Sequence, residues 1–281
     1  MDKIILLGHT GYIGNAIYKN LKNKKIIGFS SKDINLTNYK ECLKLKKHLN
    51  EKTILIICSA IKSDLGNSFE TYIKNVRMVE NLNRIIAKTT LKRIILFSSN
   101  SVYGVFKKHK KIDENTPVYP DTFYSLAKIV SEKILQLSVS EKKLLILRPT
   151  TIYGPNELIV PNTPSGFLRK AIDNRGISLW GDGSEIRDFL FIEDLVEIIS
   201  KIINKNIYGI LNLASGKKKS YADSIKIISK VLKKNISFKS KKRTLDSVDK
   251  IYNIKLFYKY FPKYKFTSLE KGLHKIIKNF Y

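Results

Sequence analysis

The chain is short of cysteine, of acid and of long apolar stretches. Only two of its 281 residues are cysteine, Cys42 and Cys58, and they are not spaced as metal ligands. Neither a disulfide framework nor a zinc site can be read from that pair, so no metal is expected, and a reducing cytoplasmic setting fits. No run reaches the roughly 18 apolar residues that a bilayer-spanning helix needs, and no membrane partner is expected. The opening Ile4-Ile5-Leu6-Leu7 is too short for the core of a signal peptide and passes straight into glycine. Internal repeats, low-complexity linkers and a long disordered tail are missing as well.

Acidic residues are the other shortage. Against 52 Lys and Arg stand 24 Asp and Glu, a formal charge of +28. Such a balance raises the question of nucleic acid, because basic surfaces bind phosphate backbones regardless of sequence. The excess is mostly lysine spread along the whole chain, however, and runs such as Lys107-Lys108-His109-Lys110-Lys111 and Lys217-Lys218-Lys219 fall at turns. With no nucleic-acid module beside it, the charge is read as general, with a share of it helping to attract an anionic small molecule.

What is present is a regular alternation. Short apolar strands at 4–8, 25–29, 53–58, 93–98 and 143–147 are separated by helical patterns. This predicts an α/β fold, a Rossmann-like doubly wound parallel sheet with helices on both faces. Near Thr150 the character changes, and Pro155, Pro161 and Pro164 interrupt the chain before a helical stretch at 167–174. A first domain over 1–155 is therefore expected, with segments near 189–213 returning to it. A smaller lobe takes most of 156–281, completed by helical patterns at 220–233 and 268–279.

Two motifs carry chemistry. Gly8-His9-Thr10-Gly11-Tyr12-Ile13-Gly14 joins the first strand to the first helix. Glycines there permit a tight turn, close approach of backbone to a pyrophosphate and tight packing of helix on sheet, while the helix start offers free amides to phosphate. Farther on, Tyr124 and Lys128 stand four apart at the start of a helical pattern, so they share a face. A cation beside a phenol lowers its pKa by roughly 1 to 3 units from about 10, which makes a general base near neutral pH. Ser99, in Phe97-Ser98-Ser99-Asn100-Ser101-Val102-Tyr103-Gly104, supplies a hydroxyl 25 residues earlier. Tyr18 with Lys22 and Tyr103 with Lys107 repeat the Tyr-Lys spacing without that context and are read as surface pairs.

With these motifs the chain resembles the extended short-chain dehydrogenase/reductase family, the NAD-dependent epimerase/dehydratases of nucleotide sugars, nearly end to end. The resemblance implies Ser99, Tyr124 and Lys128 as catalytic residues. It implies a dinucleotide held by Gly8, Thr10, Gly11, Tyr12, Ile13 and Gly14, with Tyr124 and Lys128 also reaching it. Asn35 and Leu36 correspond to positions beside the adenine, Ser59 and Ala60 to the end of the third strand, and Asn75 to an asparagine facing the active site. Where that family carries an acid for the ribose of NAD, this chain reads Ser30-Ser31-Lys32, with Asp33 slightly late. Hydroxyls and a lysine suit the 2′-phosphate of NADP, which is favoured over NAD.

For the substrate, the resemblance implies contacts from Ser99, Asn100, Thr151, Arg187 and Arg243. Arg148-Pro149-Thr150-Thr151-Ile152-Tyr153-Gly154-Pro155 carries Thr151 where the family usually has Asn. Arg187, in Arg187-Asp188-Phe189, falls where an arginine grips the diphosphate of a nucleotide sugar, a task suited to its planar fork. Asn212, Arg243 and Asp246 are further candidates, with Lys241-Lys242-Arg243 equally readable as a solvated basic run. Asn100-Ser101 stand where dehydratases carry Asp-Glu, which ranks dehydration last. The implied activity is a hexose 4-epimerase-like reaction through hydride transfer and a keto-sugar, in a homodimer. A keto-sugar reductase using NADPH stays open, and a non-catalytic dinucleotide-binding protein comes behind both.

Overall fold

The computed structural model describes residues 2–61, 66–105, 111–157, 162–243 and 247–278. Six strands form the main sheet: β1 (Lys3–Leu7), β2 (Ile26–Phe29), β3 (Thr53–Ile57), β4 (Arg93–Phe97), β5 (Leu144–Pro149) and β10 (Gly209–Leu213). Their order is β10-β5-β4-β3-β1-β2, and the pairs β1–β2, β1–β3, β3–β4 and β4–β5 are parallel. Every residue of β3, β4 and β5 is buried, odd and even alike. A strand with both faces covered reads as an unbroken apolar run, which is why these three stand out in the sequence.

Strand order reverses at β1, whose neighbours are β2 on one side and β3 on the other. In open sheets of this kind, ligands bind beyond the carboxyl ends of the strands at such a reversal. The helices that hold the sheet include α1 (Tyr12–Asn20), α3 (Phe69–Ile86) and α4 (Phe123–Ser138). Both α3 and α4 begin with a reciprocal cap, Ser68 with Thr71 and Thr122 with Ser125. Each cap satisfies two amides that the first helical turn leaves without partners. From α3, Val79, Leu82, Ile85 and Ile86 pack with Leu135 of α4 and with Ile5, Leu7, Leu55 and Ile57 of the sheet.

The chain divides into two compact units. The first comprises Met1–Gly104, Pro117–Pro149 and Val196–Asn212. The second comprises Val105–Thr116, Thr150–Leu195 and Leu213–Tyr281. Residues 105–116 thus fall in the second unit, where Ile112 bridges to Tyr252. Within that unit β6 (Thr151–Tyr153) pairs with β9 (Phe189–Phe191), and β7 (Ile177–Trp180) pairs with β12 (Phe238–Lys241). Helices α5 (Pro164–Ile172), α7 (Tyr221–Leu232) and α9 (Leu269–Lys278) complete it. Tyr153 packs against Phe191 there and lies so close to α9 that a Cβ at Gly272 would sit 2.3 Å from its hydroxyl.

Candidate active site

The turn after β1 is built so that only glycine fits. Gly8 has φ +85°, and a Cβ on it would lie 2.9 Å from the Ser59 amide nitrogen, at the end of β3. A Cβ on Gly14 would lie 2.1 Å from the Gly8 carbonyl oxygen, a collision with rigid backbone. Gly11 caps α1 without a side-chain hydrogen bond, so the amides of Tyr12, Ile13 and Gly14 open the helix with no side-chain cap over them. Together these form a bare backbone cradle at the strand reversal, the arrangement that a dinucleotide pyrophosphate requires. Gly28 belongs to the same construction: a Cβ there would lie 2.5 Å from the His9 ring, whose centre is 5.2 Å from that of Tyr18 at a tilt of 54°.

The turn after β2 is folded on itself. Asp33 accepts from both the amide and the hydroxyl of Ser30, each at 2.7 Å, and these bonds hold its carboxyl below the usual range. Ser31 and Lys32 are exposed beside it. The Asn35 side-chain Oδ1 accepts from the amide and hydroxyl of Thr37, while the Leu36 backbone carbonyl accepts from Asn81. Thr10 is exposed and Ile13 half-buried.

Five of the sequence-predicted residues line one small pocket in the first unit: Ser59, Ala60, Asn75, Tyr124 and Lys128, with Val79, Leu96, Ala127 and Ser131. Asn75 does not point freely into it. Its amide both accepts from and donates to the backbone of Ile61, at 2.8 and 3.0 Å, and so pins the segment after β3. Lys128 is buried, donates to the Phe97 carbonyl at 2.7 Å and holds its nitrogen 5.6 Å from the centre of the Tyr124 ring. Burial brings the Lys128 pKa down to about 8, against the opposing pull of Cys58 and Glu132. The Cys58 thiol is pushed by burial up to about 12.

Ser99, two residues past β4, caps the short turn Asn100–Tyr103, where its Oγ accepts from the amide of Ser101 at 3.1 Å and from its hydroxyl at 3.0 Å. Tyr103 is no surface residue. At 1% exposure its hydroxyl donates to Asn212 at 2.8 Å and accepts from Arg148 at 3.0 Å. Arg148 grips Glu132 with two nitrogens, at 3.0 and 2.6 Å, and Ser98 donates to the same carboxylate. This buried network, anchored by Glu132 one helical turn beyond Lys128 on α4, went unnoticed in the sequence. Its signal was present, since Glu132 follows Lys128 by the same four residues that separate Lys128 from Tyr124.

In the second unit Arg187 donates to the carbonyls of Ile186 and Val248, lies 5.4 Å over the Tyr221 ring and meets Glu185 at 2.5 Å. Arg243 reaches the other oxygen of Glu185 at 3.4 Å. The structure thus brings Arg187 and Arg243 together around a carboxylate that sequence reading passed over. Asp188, its pKa raised by burial to about 6, accepts from the amide and hydroxyl of Ser215. Thr151 opens β6 opposite Phe189, half-buried. Asp246 and Lys107 lie outside the described residues.

A family model described as the NAD dependent epimerase/dehydratase family matches residues 4–214. The chain is 26% identical over 234 residues to the uncharacterized UDP-glucose epimerase YtcB of Bacillus subtilis, a match covering 72% of this chain and 73% of that one. It is 28% identical over 256 residues to a dTDP-D-glucose 4,6-dehydratase of Dictyostelium discoideum, covering 75% of this chain but 58% of that relative. A UDP-glucose 4-epimerase of Thermotoga maritima, solved with UDP-glucose, superposes with a TM-score of 0.87 at 18% identity, over 99% of this chain and 98% of that one. Among the described residues no helix is long and apolar enough to cross a membrane. By the extent of the family match, and with the glycine cradle at the strand reversal that such a fold uses, the chain belongs to the NAD dependent epimerase/dehydratase family.

Proposed function

We propose that this protein is a nucleotide-sugar 4-epimerase in which Tyr124, Lys128 and Ser99 do the chemistry. The observation that carries the reading is the buried Lys128 nitrogen 5.6 Å from the Tyr124 ring centre, in a pocket that also includes Ser59, the residue packed against Gly8. When bound, the dinucleotide supplies a site that takes hydride from the sugar and gives it back. Gly8, Gly11, Gly14 and the amides of Tyr12 and Ile13 would hold its pyrophosphate, with Ser59 and Ala60 alongside. Tyr124 takes the proton of a sugar hydroxyl and later returns it. Lys128 makes this possible by stabilising the phenolate, and its bond to the Phe97 carbonyl fixes where the charge sits. Ser99, accepting from Ser101, keeps its own hydrogen to donate to the substrate oxygen as charge develops there.

Arg187 and Arg243 would hold the diphosphate of the substrate, and Asn100 and Thr151 would contact the sugar. Ser31 and Lys32 support NADP, whereas Asp33 brings a carboxylate into the same turn; affinities for the two dinucleotides decide between them. Ser31 and Lys32 also favour a second reading, a reductase of keto-sugars with exchangeable NADPH. Exposed Phe69 and Ile73 on α3 and Phe123 and Leu126 on α4 support a homodimer. The deciding assay offers UDP-, GDP- and dTDP-hexoses to the wild type and to Tyr124→Phe. Conversion to the 4-epimer without net cofactor consumption is expected, lost by roughly 100-fold or more in the variant with dinucleotide affinity unchanged. Near-normal turnover in Tyr124→Phe overturns the assigned base, and stoichiometric use of NADPH selects the reductase.

A further inference from the structure

Strand β4 leaves the sheet through consecutive ties to one helix. The carbonyl of Phe97, its last residue, accepts from Lys128 at 2.7 Å, and the hydroxyl of the next residue, Ser98, donates to Glu132. Lys128 and Glu132 are neighbours on α4, one helical turn apart. Ser99 follows directly, so these ties fix the backbone from which its hydroxyl is presented. On the sheet side the Ser98 amide donates to the Leu147 carbonyl at 2.8 Å. Arg148, the next residue of β5, holds Glu132 through Nε at 3.0 Å and a terminal nitrogen at 2.6 Å, and it also donates to the Tyr103 hydroxyl at 3.0 Å. Ser98, Lys128, Glu132 and Arg148 are all buried.

A carboxylate is a costly way to join a helix to a sheet. A well-packed apolar pair in place of Glu132 and Arg148 would stabilise the fold as well or better, because two charges taken out of water seldom recover their solvation in full. What apolar side chains do not supply is direction, which hydrogen bonds to a fixed carboxylate do. Arg148 also neutralises Glu132, so the carboxylate acts less as a counter-charge for Lys128 than through the backbone it holds.

We propose that Glu132 is a positioning residue of the reaction: through Ser98 it keeps the end of β4 in register with α4, and so sets the Ser99 hydroxyl against Tyr124 and Lys128. The inference rests on the reading of those three as the catalytic groups. Tyr124 and Lys128 belong to the helix and Ser99 follows the strand, so no local spacing aligns them and cross-ties must. The demand is strict, since reacting groups need placing within roughly 0.5 Å and a displacement of about 1 Å can cost about 100-fold in rate.

Ser98→Ala cuts the tie and leaves the Glu132–Arg148 pair whole. With the same UDP-, GDP- and dTDP-hexoses, kcat should fall by roughly tenfold to 100-fold while KM and the dinucleotide dissociation constant stay within about threefold. In the ligand-free protein, amide hydrogen exchange over residues 99–104 should quicken roughly tenfold, a readout that needs no substrate. Glu132→Leu with Arg148→Met removes both charges and every hydrogen bond between them; it should fold as firmly as the wild type and lose turnover to the same extent. Adding Ser98→Ala to that pair should change kcat by less than about twofold, because the tie is already gone. Glu132→Gln with Arg148→Met, which keeps an acceptor for the Ser98 hydroxyl, should turn over several-fold faster than the apolar pair. Wild-type kcat in Ser98→Ala, or a second tenfold loss when Ser98→Ala joins the apolar pair, overturns the proposal; if the apolar pair does not fold, Ser98→Ala decides alone. Tyr124→Phe, assayed beside them, separates this from the reading beneath it. If Tyr124→Phe loses turnover and Ser98→Ala does not, the catalytic groups stand without Glu132; if Tyr124→Phe keeps turnover, or the wild type converts none of the hexoses, both fall together.

Discussion

Replacing Arg148 with methionine strands the Glu132 carboxylate in the core. The two side chains are 4% and 2% exposed, so water cannot take over when the guanidinium is gone. Removing one partner of a buried ion pair costs about 3 to 5 kcal/mol, and the lost bond to the Tyr103 hydroxyl adds about 1 kcal/mol. The low end of that sum, about 4 kcal/mol, lowers the folding equilibrium roughly a thousandfold. For a chain of this size it lowers the unfolding midpoint by roughly 8 to 16 °C. Thermal and urea unfolding of the ligand-free protein measure both. The informative control is Arg148→Met with Glu132→Gln, in which neither charge remains to be solvated. Most of the loss should return, because a neutral replacement of both partners is often nearly free. A single-variant loss below about 1 kcal/mol, or a double variant as unstable as the sum of its parts, would refute the view that stranded charge dominates.

Two further outcomes are expected. Gly14→Ala should lose dinucleotide binding while Tyr124 and Lys128 keep their places, since its Cβ would lie 2.1 Å from the Gly8 carbonyl oxygen; retained affinity in a cofactor titration would show that the turn yields. Because Lys128 has its pKa brought down to about 8, from 10.5, the folded protein binds fewer protons than the unfolded chain between those values. Its burial therefore costs stability fully below pH 8, and the cost falls away as pH rises toward 10.5. The stability advantage of Lys128→Met over the wild type should shrink across that window, and wild-type activity should decline as the ammonium discharges above pH 8; a flat difference in urea unfolding would sink this account.

Local spacing made part of this site readable. Tyr124 and Lys128 are one helical turn apart, and the glycines follow a strand that ends in the cradle they form, so chain neighbours are also space neighbours. The ion pair of Glu132 with Arg148 joins a helix to a strand across 16 residues, and Arg243 reaches Glu185 across 58. Neither distance has a sequence period. Tyr103 was misread for a definite reason: pairing it with Lys107 assumes a continuing helix, but Gly104 at φ +60° ends the turn. That bend faces Tyr119, whose carbonyl oxygen lies 1.9 Å from where a Cβ would be. The strands were legible because β3, β4 and β5 each carry four apolar residues in a row, whereas the return of residues 196–212 to the first unit depends on contacts far along the chain.

That return has a consequence for biosynthesis. Arg93, 8% exposed at the start of β4, donates to the carbonyls of Ile202, Lys205 and Ile207, all made more than a hundred residues later. Strand β10, which covers the edge of β5, comes from the same late segment. At roughly 5 to 20 residues per second, a ribosome that has finished β5 needs about 3 to 13 seconds to finish β10. Through that interval the nascent sheet has an apolar strand without its neighbour and a guanidinium without its carbonyls. The growing chain is then most open to mispairing with another strand, and a chaperone that shields this edge would protect the protein at its weakest moment.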